Sequence, residues 1–242
     1  MPLTPLAAGE RELPEAEARY VARVHRLGPG DGIIVFDPEA RAEADAEILS
    51  TGRSVKCRIG AVRAATRLPR LRVELWQALG KSDKPESVVR DATALGVARV
   101  VFVETARTVV RLADRAESRR KRWRAVAIDA ARQSGRGDVP EIQGPIPLGQ
   151  ALALRAKTVD PLPGICLSPT ALVGFGAAVA QAAGGGILLF VGPEGGFDAV
   201  ELEEIGRGGF GFARLGEFVL RTELAAVAAL GAILAGSPRD SE

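Results

Sequence analysis

The segment LLFVGPEGGFDAVE, residues 188–201, reads as a strand, a loop and the start of a helix. Leu188–Val191 is apolar at every position, as in a strand covered on both faces. Gly192-Pro193-Glu194-Gly195-Gly196 then breaks the run and leaves a nearly bare backbone carrying one carboxylate. Asp198, with Glu201 three residues later, has the spacing of a capping box, so a helix begins there. Strand, glycine loop and helix form the repeating step of an α/β sheet, and in open sheets of that kind ligands sit at the carboxyl ends of the strands. The loop is either an ordinary tight turn or backbone kept bare so that something can lie against it.

The same step recurs on both sides of this segment. VELWQAL (73–79), VARVVFV (97–103) and LPGICL (162–167) read as strands, and GFARLG (211–216) as a last short one. Between them run helical patterns. SDKPESVVRDATALG (82–96) has Asp83 as N-cap, Pro85 in the first turn, Glu86 as capping-box partner and Gly96 just past its end. Its apolar stripe is Val88, Val89, Ala92 and Leu95. ESRRKRWRAVAIDAARQSG (117–135) turns Trp123, Val126, Ala127 and Ala130 inward. LVGFGAAVAQAAG (172–184), DAVELEEIG (198–206) and TELAAVAALGAILAG (222–236) complete the set, with Thr222 as N-cap of the last. The fold class is therefore α/β with a mostly parallel sheet. Upstream the pattern differs. GDGIIVFD (30–37), SVKCRIGAV (54–62) and LRVELW (71–76) alternate apolar and polar residues as half-buried strands do, with one short helix around Glu15–Arg26. The expected organisation is a small β-barrel or sheet domain over 1–72 and an α/β domain over 73–242.

A chain of 242 residues, 47% apolar and 26% charged, has the profile of a soluble globular protein and is long enough for a sizeable core. Apolar runs such as Ile187–Val191 are far too short to span a bilayer, and the N-terminus carries no secretory pattern. Two cysteines, Cys57 and Cys166, fit a reducing, cytoplasmic compartment. With one histidine, His25, and no CxxC, no metal site is expected. The net charge of +2 is unevenly spread. Residues 53–72 and 107–136 are rich in arginine, whereas 194–204 is acidic. That separation fits either a polyanion-binding face or solvated helix faces. GFGAAV (174–179) lacks the third small residue of a dinucleotide fingerprint and reads as helix packing. There is no P-loop lysine and no GxSxG elbow, which disfavours nucleotide triphosphate hydrolysis and α/β-hydrolase chemistry.

Three glycine-bearing loops remain: SGRGDVPE (134–141), GPEGGF (192–197) and LGEFVLRTE (215–223). Together with KSDKPESVVRDATALGVARVVFVETARTVV and RWRAVAIDAARQSGRGDVPEI, their order and spacing resemble the RsmE family over residues 20–235. These are the uridine-N3 methyltransferases of bacterial small-subunit (16S) ribosomal RNA, in the SPOUT superfamily. The resemblance implies a SPOUT α/β domain with a deep trefoil knot, an exception to the usual absence of knots, and a PUA-like RNA-binding β-barrel at the N-terminus. It implies S-adenosyl-L-methionine as cofactor, a homodimer, and 16S rRNA or the small ribosomal subunit as partner. The implied cofactor residues are Leu167, Ser168, Val191, Gly192, Pro193, Glu194, Gly195, Gly196, Leu215, Gly216, Leu220 and Thr222. Arg221, Glu223 and Arg136 are the implied catalytic candidates, and Lys81, Lys84, Arg132, Arg26 and Arg58 the RNA contacts. The chain departs from the family in having Arg19-Tyr20 where paired histidines are common, and Arg132 before Gln133-Ser134-Gly135-Arg136 where glutamate is common. Two other expectations stay open: 2′-O-ribose methylation of RNA, and RNA binding without catalysis.

Overall fold

A computed structural model describes residues 1–52, 54–80, 85–108, 116–182 and 184–236. The chain forms two compact units. One comprises Met1–Leu68 with Ala131–Val139, and the other Pro69–Ala130 with the chain from Pro140 onward.

The first unit is built on antiparallel strands. β1 (Gly9–Glu12), β4 (Lys56–Ile59), β3 (Ala42–Ser50) and β2 (Gly32–Asp37) lie side by side in that order, and β5 (Arg63–Ala64) pairs with β3. Helix α1 (Glu15–Arg19), continued by a π-helical turn over Tyr20–Val24, occupies the stretch where the sequence predicts a short helix. The core is drawn from alternate strand positions: Val35, Ala44, Ile48, Cys57 and Ile59, joined by Leu13 and Val21. β3 is absent from the sequence reading because alanine, glutamate and aspartate are weak strand formers. It forms because Ala44, Ala46 and Ile48 face the core while Asp45 and Glu47 face out. Asp37 closes the β2–β3 turn. It accepts hydrogen bonds from the N–H groups of Leu6 (3.2 Å), Glu39 (2.9 Å) and Ala40 (3.1 Å) and from the Thr4 hydroxyl (3.1 Å). Burial pushes its carboxyl up, but these donors outweigh burial and hold it below the usual carboxylate range.

The second unit is a parallel sheet. β6 (Arg72–Ala78), β7 (Arg99–Glu104), β8 (Glu141–Pro147), β9 (Gly164–Leu167), β10 (Gly186–Val191) and β11 (Phe210–Ala213) run in the order β11-β9-β10-β6-β7-β8, every neighbouring pair parallel. Its helices are α2 (Pro85–Ala94), α3 (Ala116–Ser134, which belongs to this unit as far as Ala130), α4 (Leu148–Ala156), α5 (Phe175–Gln181), α6 (Ala199–Arg207) and α7 (Thr222–Ala235). All of β10 is buried, as its unbroken apolar run requires. At its start Gly186 has φ +151°, and a Cβ there would run into the Arg72 carbonyl, so the close β6–β10 approach needs glycine. Trp76, Phe190 and Phe210 pack ring against ring with centroids 5.4–5.6 Å apart.

Several local expectations are corrected. LRVELW lies mainly within β6 of the parallel sheet, where every residue after Arg72 is buried, so it is not a half-buried strand. The last strand is Phe210–Ala213, and residues 214–216 leave it as loop. The α7 N-cap is Arg221, which makes no side-chain cap, and Thr222 is the first helical residue. The glycines of GFGAAV meet nothing: a Cβ on Gly174 or Gly176 would have no atom within 4 Å, so close helix packing does not explain them. Asp198 and Glu201 form the expected capping box. The expected cap Asp83 lies outside the described residues. β8, with Pro145 and Pro147, pairs only with β7, the edge location where proline is tolerated. No described helix is long and apolar enough to cross a membrane.

Candidate cofactor and RNA site

β9, β10 and β11 are neighbours in the sheet, and the loops that leave their carboxyl ends wall one cavity of ≈ 450 Å³. Residues 167–170 close β9, 191–197 close β10, and 215–222 lead from β11 into α7. Every expected cofactor residue, Leu167, Ser168, Val191 through Gly196, Leu215, Gly216, Leu220 and Thr222, lines this cavity. The expected catalytic candidates Arg221 and Glu223 flank Thr222 and do not line it. Sequence reasoning missed Phe197, Leu202, Phe218, Val219 and Ala225, which add to the apolar lining, along with Pro169 and Thr170. Phe197, immediately after the glycines, is the one with a local signal.

GPEGG is a tight turn that also lines the cavity. The Gly196 N–H donates to the Pro193 carbonyl at 2.8 Å, and Gly196 has φ +67°, so the segment is a tight turn. It is also a cavity wall. A Cβ on Gly192 would stand 2.9 Å from Cε2 of Phe197, whose ring packs edge-on against Phe190 at 4.9 Å. Bare backbone at residue 192 is therefore what lets the aromatic ring fold over the loop.

Thr222 holds the loops together. Its side chain is buried; the hydroxyl donates to the Gly192 carbonyl (2.5 Å) and accepts from Nε2 of the buried Gln77 (2.8 Å). One oxygen thus ties the start of α7 to the end of β10 and to β6. The Ser168 N–H donates to the Ala213 carbonyl at 2.9 Å, which fixes the β9 loop to the end of β11. Arg221 is exposed at the helix start and makes no ion pair among the described residues. Cys166, at the end of β9, is buried, which pushes its thiol far up and leaves it inert.

The remaining candidates are placed elsewhere. Arg136 is buried against Asp138, Nε to Oδ1 2.7 Å, and Arg132 stacks over the Tyr20 ring at 4.3 Å with Glu17 beside it at 3.4 Å. Both belong to the first unit and neither lines the cavity. Arg58 is paired with Glu10 (3.1 Å) and Glu47 (3.7 Å), and Arg26 is exposed with φ +55°. His25 is exposed and meets Tyr20 edge-on at 4.7 Å. Lys81 and Lys84 lie outside the described residues. No metal-binding group of His, Cys, Asp or Glu occurs among the described residues. A second cavity of ≈ 240 Å³ opens around Arg72 and Arg99, whose guanidiniums are held by carboxylates. Glu74 pairs with both arginines (2.7 and 3.4 Å), and Arg155 donates to the Leu162 and Gly208 carbonyls.

The RNA methyltransferase domain family matches residues 66–234, which hold the parallel sheet and the loop-walled cavity at the carboxyl ends of three adjacent strands. The ribosomal RNA small subunit methyltransferase E of Bacillus subtilis is 32% identical over 224 residues, which is 90% of this chain and 86% of that protein. The crystal structure of a ribosomal RNA small subunit methyltransferase E from Neisseria gonorrhoeae bound to S-adenosyl methionine superposes with a TM-score of 0.85 at 27% identity, covering 97% of this chain and 95% of that one. A methyltransferase from Legionella pneumophila in complex with the cofactor SAM gives 0.84 at 28% identity, with 97% and 95% covered. The chain belongs to the ribosomal RNA small subunit methyltransferase E family.

Proposed function

We propose that this protein transfers a methyl group from S-adenosylmethionine to N3 of a uridine in small-subunit (16S) ribosomal RNA. Methylation of rRNA with S-adenosylmethionine follows from family membership; the atom and the nucleotide are the finer part of the reading. The observation that carries it is the single cavity walled by all three strand-end loops.

The residues present fit this cofactor. Gly196, where a Cβ would meet nothing within 4 Å, leaves room for an adenosine to lie against the loop backbone, and N–H and C=O groups are available to its polar edges. Pro193 removes a donor and Glu194 adds negative charge, which disfavours a polyphosphate and suits a sulfonium. Phe197, Leu202 and Val219 add apolar surface to the lining. When bound, the cofactor supplies an electrophilic methyl group for in-line displacement by the uracil nitrogen. The chain's own task is to hold the nucleotide in line and to stabilise the imidate left when N3 loses its proton. Arg221, which makes no ion pair with a described residue and stands next to Thr222, is assigned to that imidate. Glu223 or Glu194 is assigned to the proton. N3 lies on the pairing edge, so the uridine must be unpaired or flipped out.

The finer fold and assembly belong to the same proposal. The trefoil knot is supported by the insertion of β10 between β6 and β9 and by the tie of Thr222 to both Gly192 and Gln77. The PUA-like role of the first unit is supported by its antiparallel strands and its exposed arginines. A homodimer is supported by Phe218, Val219 and Leu224, which are 83%, 79% and 51% exposed beside the cavity. The test is a nucleoside digest of 16S rRNA treated with the protein and methyl-labelled S-adenosylmethionine. Label in N3-methyluridine is expected, and label in a ribose-methylated nucleoside would overturn the assignment.

A further inference from the structure

We propose that Arg107 is an RNA-phosphate-binding residue built into the rim of the cofactor cavity. The inference rests on the reading of that cavity as the site of RNA methylation.

Arg107 stands in the turn Thr105–Thr108, which leaves β7, and this turn is tied down on every side. The Thr108 N–H donates to the Thr105 carbonyl (3.0 Å), and the Thr105 N–H donates to the Thr108 hydroxyl (2.8 Å). That hydroxyl donates in turn to the Leu79 carbonyl at the end of β6 (2.8 Å). The Ala106 N–H donates to Oε1 of Glu201 (2.7 Å). Glu201 is only 6% exposed, and its other oxygen accepts from the N–H of Asp198, so the anchor is itself fixed by the α6 capping box. Both neighbours of Arg107 are thus immobilised, one through β6 and one through α6.

The side chain between them is exposed and makes no hydrogen bond or ion pair with a described residue. It lies over the cofactor loop: a Cβ on Gly195 would sit 3.0 Å from Arg107 Cδ and 3.6 Å from its Nη1. An arginine whose role is only to solvate a surface gains nothing from a backbone held at four points. One that must meet a ligand group in a fixed place does, because the ordering is complete before binding. The guanidinium fork matches phosphate oxygens two at a time. Beside the cavity, a phosphate held there would set the nucleotide's backbone while its base enters.

The test compares Arg107→Ala, Arg107→Lys and Thr108→Val in the full chain, using deproteinised 16S rRNA. RNA binding is read by filter retention across a salt series, and S-adenosylmethionine binding by calorimetry. Arg107→Ala is expected to weaken RNA binding several-fold and to reduce the log–log salt slope by about 1, with cofactor affinity within about twofold of the parent. Arg107→Lys should restore the slope, because it keeps the charge, and only part of the affinity. Thr108→Val should weaken RNA binding with the slope unchanged, because it frees the turn without removing the cation. An unchanged slope in Arg107→Ala, or a loss of cofactor binding equal to the loss of RNA binding, would overturn the assignment. Because these readouts need no turnover, a digest showing a product other than N3-methyluridine would remove the N3 reading and leave the phosphate contact standing.

Discussion

A single hydroxyl on Thr222 joins three elements, and its removal defines the first prediction. Thr222→Val keeps the shape but removes the hydroxyl from the Gly192 carbonyl and leaves Nε2 of Gln77 with only its longer bond to the Ala78 carbonyl (3.2 Å). Stability should fall by about 1–3 kcal/mol in chemical denaturation, and calorimetry should show weaker S-adenosylmethionine binding. Thr222→Ser should retain both. The cavity glycines separate in the same way. Gly192→Ala must displace the Phe197 ring and should cost about 1–3 kcal/mol by overpacking. Gly216→Ala, where a Cβ meets nothing within 4 Å, should leave stability unchanged. At this scale the sequence shows where the backbone is bare, since glycines after apolar strands are conspicuous. It does not show which hydroxyl bridges the loops, because Thr222 in sequence looks like a helix cap and its true partners are distant in the chain.

Helix and strand ends carry the next set of outcomes. Asp198→Ala removes the α6 N-cap and should cost about 1 kcal/mol. Glu201→Ala should cost more, because it also leaves the Ala106 N–H unpaired. In the first unit, Asp37 holds the β2–β3 turn with its carboxyl below the 3.8 of a free aspartate. The folded state therefore binds its proton less readily than the unfolded chain. Its contribution is complete above about 4 and is lost as pH falls through the folded value. Unfolding followed by urea at decreasing pH should show a loss of stability below pH 4 that is shallower in Asp37→Asn. Long apolar elements such as β7 and β10 are legible because burial on both faces leaves an unbroken run. β3 and β8 are not, because the first is written in alanine and acids and the second in proline and glycine. Their pairing partners, rather than their own propensities, make them strands.

For the whole molecule, sedimentation should show a concentration-dependent dimer if Phe218, Val219 and Leu224 are covered by a second copy. Phe218→Asp should shift it toward monomer. The grouping of residues 131–139 with the first unit has no counterpart in composition, since α3 runs without interruption from Ala116 to Ser134. Strand order is equally silent in sequence, yet it governs how the chain can be made. β6 ends at residue 78, but its partner β10 begins only at residue 186. While the chain emerges from the ribosome, one edge of a strand that is almost wholly buried in the finished fold stays open through the synthesis of more than a hundred residues. That edge is a template for pairing with other chains. A chain halted after residue 185 should pellet on centrifugation where the complete protein stays in solution. An rRNA methyltransferase would then depend, during its own synthesis, on whatever shields that edge until β10 arrives.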